Sequence, residues 1–129
     1  MHILVCGGSK GIGKAIVNKY LSNGHNVSYF YNKTAPDSNS LGNAIKCDCS
    51  SFEEISNGIE SAVNTYGRID VLIYNAGISM TGVFDMFTPD DYHKIMDTNF
   101  GGLFYASKLV APSMISNKSG SIIAVSSMW

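Results

Sequence analysis

Four glycines fall within seven residues in the run Gly7-Gly8-Ser9-Lys10-Gly11-Ile12-Gly13, between a short apolar stretch and an amphipathic one. Where a strand turns sharply into a helix, glycine lets backbone amides come close to a ligand, and the helix N-terminus favours an anion. The chemistry this run offers is therefore diphosphate binding. A tightly packed turn would use the same residues, but the strand before it and the helix after it favour the nucleotide reading. Gly8, Gly13 and Lys14 also nearly spell a second phosphate loop, G-x-x-x-x-G-K-[ST]. Ala15 stands where that loop needs a hydroxyl for magnesium, and a later strand ends in Tyr74-Asn75 where such enzymes place a metal-binding acid. Nucleoside-triphosphate hydrolysis is set aside on these mismatches.

Other chemistry is thinly represented. Cys6, Cys47 and Cys49 are three cysteines without a C-x-x-C pair, so no disulfide framework or metal site is expected. They read as small buried residues in a reducing compartment. His2 and His25 sit at strand approaches and His93 on a helix, and all three read as surface polarity. With 9 Lys and Arg against 10 Asp and Glu, the net charge of −1 gives no general attraction to nucleic acid or anionic membranes. The chain enters Ile3-Leu4-Val5 without a basic leader, and no apolar run reaches ~18 residues, which points to the cytoplasm. Its 129 residues allow one domain, residues 1–129. Charged residues make up 15%, below the usual ~25%, so extra surface is expected to be covered, as in a homo-oligomer.

The elements that must position the glycine run alternate along the chain. Strands are predicted at Ile3 to Cys6, Val27 to Tyr31, Ala44 to Cys47, Asp70 to Tyr74 and Ser121 to Ser127. Helices are predicted from Ile12 to Asn23-Gly24, behind Ser50 or Ser51 to Gly67, from Thr88-Pro89 through Met96, and from Asn99 to about Asn117. Ser50 and Ser51 each precede a glutamate by three residues, so either could close a capping box. Asn32 to Asn43, with Pro36, is a surface loop. In the last helix Phe100, Leu103, Val110 and Met114 mark one apolar side and Phe104, Ala111 and Ile115 another, while Pro112 should bend or interrupt it. Strands alternating with helices imply an α/β fold: a doubly wound parallel sheet in three layers, of which this chain carries about five strands.

Gly7-x-x-x-Gly11-x-Gly13, Asn75-Ala76-Gly77, Asn99 and Gly120-Ser121-Ile122-Ile123-Ala124-Val125-Ser126-Ser127 together resemble the short-chain dehydrogenase/reductase family. The four motifs come in that family's order and at its spacing, over essentially all 129 residues. The pattern is similar to the first half of 3-oxoacyl-carrier-protein reductases and related sugar or steroid dehydrogenases. Cys6 departs from it, standing where the family usually has threonine.

The resemblance implies a Rossmann fold and a nicotinamide dinucleotide held by Gly7, Ser9, Lys10, Gly11, Ile12, Gly13, Lys33, Asp48, Cys49, Asn75, Ala76 and Gly77. Asp48 would meet the adenine amino group; alone it also reads as a carboxylate stabilised by the following helix's dipole. Asn75 would support the central strand and line the cleft, and it also reads as a turn amide. An NAD-preferring site places a carboxylate at the end of the second strand. Phe30-Tyr31-Asn32-Lys33 has none, and Lys10 resembles the basic residue that holds a 2′-phosphate in NADP-dependent members, with Lys33 assisting. NADP is preferred, with NAD the alternative, unless both lysines are merely solvated.

By the same resemblance Ser127 is the serine that hydrogen-bonds a substrate carbonyl oxygen, and Asn99 the asparagine of the proton relay. A strand-end hydroxyl and a helix cap are the plainer readings. The only Tyr-x-x-x-Lys is Tyr29 with Lys33, on a strand that would separate them by about 13 Å instead of placing them on one helical face. The expected activity is hydride transfer between NADPH and a small carbonyl or alcohol, with this stretch inactive alone because the Tyr-x-x-x-Lys pair lies outside it. The rival is an inert dinucleotide-binding or assembly module. The loop from Ile78 to Met86 offers a substrate only an apolar rim.

Overall fold

The apolar run at the amino end becomes the middle of a sheet. In the computed structural model, which describes residues 1–127, five parallel strands stand in the order β3-β2-β1-β4-β5. They are β1 (His2–Cys6), β2 (Asn26–Tyr31), β3 (Asn43–Lys46), β4 (Val71–Tyr74) and β5 (Ser121–Ala124). β1 is paired on both sides, with Cys6 opposite Phe30 of β2 and opposite Tyr74 of β4. Strands covered on both faces have no solvent side to serve, which is why β1 and β4 are buried along their whole length.

The period of two along β1 splits the core in two. Ile3 and Val5 join Val27, Tyr29 and Ile73 under Val17 of helix α1 (Gly11–Ser22). Leu4 and Cys6 join Phe30, Leu72 and Tyr74 on the other face, under Ile55 and Ile59 of α2 (Phe52–Tyr66) and Ala106, Val110 and Met114 of α4 (Gly102–Ser116). This is a Rossmann-like α/β fold, as the alternation of periods implied. Among the described residues no helix is long and apolar enough to cross a membrane.

Local signals set most helix starts. The Ser51 hydroxyl accepts from the Glu54 amide at 3.2 Å and caps α2. The box does not close, because the Glu54 carboxylate turns away to accept from the Asp48 amide at 2.7 Å. Thr88 and Asp91 do form a reciprocal box, with Pro89 opening α3 (Pro89–Met96).

Four expectations are corrected. No break occurs at Asn99: α3 runs into α4 through a π turn, Asp97–Gly101, which takes in an extra residue without ending the helix. The wide turn shifts the helical faces, so Phe100 is exposed with Phe104 and Ile115 while Val110 and Met114 are buried. Of the bend or interruption expected at Pro112, the interruption does not occur: α4 continues to Ser116. β5 ends at Ala124 instead of Ser127, level with the end of its partner β4 at Tyr74, with one further bond from the Val125 amide to the Tyr74 carbonyl at 2.9 Å.

The fourth is His2, expected at the surface and found 2% exposed. Its Nδ1 lies 2.9 Å from the Gly67 carbonyl, which can only accept, so Nδ1 carries the proton. Nε2 then accepts from the Ser28 hydroxyl at 2.9 Å, and Asp70 accepts from the His2 amide at 2.8 Å. Burial pushes the imidazole pKa below its ordinary value. Ser28 is itself fully buried, so this Ser–His pair braces the amino ends of β1 and β2 and is not offered to a substrate.

Candidate functional site

Parallel strands all end on one side of the sheet, and the order reverses between β1 and β4, which opens a crevice beyond their carboxyl ends. Two turns meet there. The amides of Gly7 and Gly8 both donate to the Phe30 carbonyl, at 3.1 and 3.0 Å. Gly7 has φ +80°, and a Cβ on it would stand 2.9 Å from Ala76 Cα. At Gly13 a Cβ would strike the Gly7 carbonyl and lie 2.8 Å from Asn75 Nδ2. Asn75 Nδ2 donates to that same carbonyl at 3.1 Å. Asn75 is thus a tie between β1's turn and β4's, more than a local turn amide.

Above this junction α1 begins at Gly11. Lys10, its N-cap, is extended and gives no side-chain cap, and the first turn holds no acid. Nothing lies within 4 Å of a Cβ built on Gly11. First-turn amides with no acid in the helix's own first turn, no side-chain cap and open space beside Gly11 suit an anion, so these residues fit a pyrophosphate. Ser9 is half-buried at the rim, and Lys10 and Ile12 are exposed.

Lys33 is exposed beyond β2. Asp48 accepts from the Ser50 amide at 2.9 Å and from its hydroxyl at 2.7 Å, and these bonds with Asn32 and Lys33 nearby hold its carboxyl below the usual range. It is fixed by the turn ahead of α2, not by the first turn of that helix. Cys49, expected among the coenzyme-binding residues, packs its thiol into the core with Cys6, Cys47 and Tyr74, and its backbone adjoins Asp48. Hydrogen bonds from Cys47 and Cys6 draw the Cys49 thiol down to about 5, while those two thiols are pushed up by the same bonds and by burial.

Asn99 does not act as a cap. Its Oδ1 accepts from the Ile78 amide at 2.8 Å and its Nδ2 donates to the Ile78 carbonyl at 2.9 Å, so it clamps the chain just past Gly77. Ser127 lies three residues past the end of β5 and is exposed. Tyr29 is buried under α1 and Lys33 is exposed, so that pair makes no catalytic couple.

A profile describing short chain dehydrogenases matches residues 1–129. The chain belongs to the short chain dehydrogenase family. It is 38% identical over 130 residues to acetoacetyl-CoA reductase of Shinella zoogloeoides, covering 97% of this chain and 54% of that protein. It is 30% identical over 133 residues to 3-oxoacyl-[acyl-carrier-protein] reductase FabG of Buchnera aphidicola, covering 97% and 54%. Ligand-free aldohexose dehydrogenase of Thermoplasma acidophilum superposes with a TM-score of 0.90 at 32% identity, over 98% of this chain and 49% of that one. The chain spans about half the length of the curated relatives it matches. Short chain dehydrogenases are oxidoreductases that use NAD(P).

Two contacts in this chain had no local signal. Lys14 pairs with Asp37 at 2.6 Å, bringing a carboxylate from the loop after β2 to the first turns of α1. The Tyr74 hydroxyl donates to the Thr98 carbonyl inside the π turn. Buried aromatic hydroxyls need a partner, and that need was the one general hint available for Tyr74.

Proposed function

We propose that this chain is the coenzyme-binding part of an oxidoreductase that passes hydride between NADPH and a small carbonyl or alcohol. The observation that carries the reading is the junction of Gly7, Gly13 and Asn75 beneath the uncapped first turn of α1. When bound, the dinucleotide supplies the hydride; the chain's residues hold and orient it. The amides of Gly11, Ile12 and Gly13, with Ser9, take the pyrophosphate, and Asp48 takes the adenine amino group beside the Cys49 backbone. Lys10 and Lys33 take the 2′-phosphate, for which no carboxylate competes at Tyr31-Asn32-Lys33. Asn75, Ala76 and Gly77 wall the nicotinamide side. Ser127 donates to the substrate oxygen as negative charge grows there, and Asn99 fixes the wall through Ile78.

No Tyr-x-x-x-Lys pair stands on a helix among the described residues, so by themselves they bind coenzyme without turnover. Large apolar side chains left exposed, among them Phe84, Phe100, Phe104 and Ile115, favour self-association in the cytoplasm. They also support the second reading, an assembly module without chemistry. Titration with NADPH, NADH and magnesium ATP tests the proposal: tighter binding of NADPH than NADH supports it. Magnesium-dependent ATP binding with no dinucleotide binding overturns it. Failure of the whole protein carrying this segment to oxidise NADPH with any carbonyl supplied, while still binding it, favours the module.

A further inference from the structure

We propose that Cys49 is an oxidation site that closes a disulfide onto Cys47 or Cys6 and thereby loosens the turn that holds Asp48. The three thiols come from separate places. Cys6 ends β1, Cys47 follows β3, and Cys49 lies two residues on, in the turn to α2. They converge in one core and are 0%, 1% and 6% exposed in that order. β2 stands between β1 and β3, so Cys6 and Cys47 are about 10 Å apart across two strand spacings and cannot bridge each other. Cys49 is the neighbour they share, exchanging hydrogen bonds with both, and the least buried of the three. Those bonds favour its thiolate, which is the attacking form. Among the described residues no three His, Cys, Asp or Glu side chains form a metal-holding group.

The oxidant is a hydroperoxide. The Cys49 thiolate attacks one peroxide oxygen, the O–O bond breaks, and Cys49 becomes a sulfenic acid. The second thiol then attacks the Cys49 sulfur and expels water, so two thiols and one hydrogen peroxide give one disulfide and two waters. A disulfide needs its Cβ atoms about 3.8 Å apart. Because Cys47 and Cys49 flank Asp48, and Cys6 precedes Gly7, drawing either pair together moves a coenzyme-binding turn. This consequence rests on the dinucleotide reading above; the oxidation does not.

The test treats the purified protein with hydrogen peroxide, blocks the remaining thiols with N-ethylmaleimide in denaturant, and digests with trypsin. Cleavage after Lys46 and Arg68 leaves Cys47 and Cys49 in one peptide, and cleavage after Lys10 leaves Cys6 in another. The expected result is loss of two hydrogens within peptide 47–68, or a cross-link from it to peptide 1–10, reversed by dithiothreitol. Cys47→Ser should leave only the cross-link and Cys6→Ser only the internal bond, so the site is testable even if Cys49→Ser misfolds. Three maleimide adducts after peroxide, or sulfonic acids without a disulfide, overturn the proposal. NADPH titration should show at least tenfold weaker binding after oxidation, and unchanged affinity overturns the link to Asp48. A reduced protein that binds no NADPH overturns the dinucleotide reading, while the peptide masses still decide the oxidation site.

Discussion

The side-chain amide of Asn75 donates to the carbonyl of Gly7 across 3.1 Å, tying the turn after β4 to the turn after β1, 68 residues away in the chain. Gly13 lets α1 sit on the same carbonyl, so three motif residues share one oxygen. Asn75→Ala removes the tie and costs about 1–2 kcal/mol, since a part-buried acceptor loses its partner. Gly13→Ala forces a methyl against the Gly7 carbonyl and costs about 1–3 kcal/mol or more through overpacking. Urea denaturation reads both losses. NADPH titration should show roughly tenfold weaker binding for Asn75→Ala, about 1.4 kcal/mol, and none detectable for Gly13→Ala; wild-type affinity in Gly13→Ala would sink the cleft assignment.

Asn99 acts on Ile78, not on a helix end. In Asn99→Ala the Ile78 amide loses its acceptor, and its hydrogen exchange should speed up about tenfold, while helix content by circular dichroism stays unchanged. Asn99→Asp keeps the acceptor and should retain most of the protection. A loss of helix content in Asn99→Ala would mean that the side chain holds the π turn after all.

Charge reversal at Lys10 separates the two coenzymes. A 2′-phosphate is present only in NADPH, so Lys10→Glu should weaken NADPH at least tenfold and leave NADH within about twofold, each fold-change converting at 1.4 kcal/mol per decade. Lys33→Glu should act in the same direction. Equal losses for both coenzymes would remove the phosphate contact from the account.

His2 makes stability depend on pH. Its folded pKa lies below the ordinary value of 6.5, with burial the largest cause. Between the folded value and 6.5 the unfolded chain binds more protons, so stability rises with pH through that window. The contribution is complete above about 6.5 and is lost as pH falls toward the folded value. The urea midpoint should therefore drop between pH 7 and pH 5 in wild type. In His2→Gln the curve should be flatter over that range. Identical curves would show that the buried imidazole is not the titrating group.

Much of the fold was legible in short stretches of chain. Ile3 to Cys6 read as a doubly covered strand because a parallel strand inside an α/β sheet has no polar side to show. Thr88 and Pro89 marked a helix start because an N-cap and a first-turn proline are local signals, and Asp91 closes the box with Thr88. The glycine spacing around Gly7 and Gly13 marked the turn for the same reason, since backbone conformation and close approach are local demands on residue type.

Several side chains depend on partners far apart in sequence. His2 reads as surface polarity until Gly67 and Ser28 are brought beside it, 65 and 26 residues away. Asn99 reads as a break or cap until Tyr74 reaches into the π turn and Ile78 arrives against its amide. Cys49 reads as a coenzyme-binding residue, and its turn folds the thiol inward toward Cys6. Composition and spacing were enough for the alternating elements, the parallel sheet and the glycine turn, because each follows from interactions a few residues long. The inward thiol, the buried imidazole and the clamp on Ile78 had to wait for strand pairing, because that step alone chooses which distant side chains lose water together and must satisfy one another.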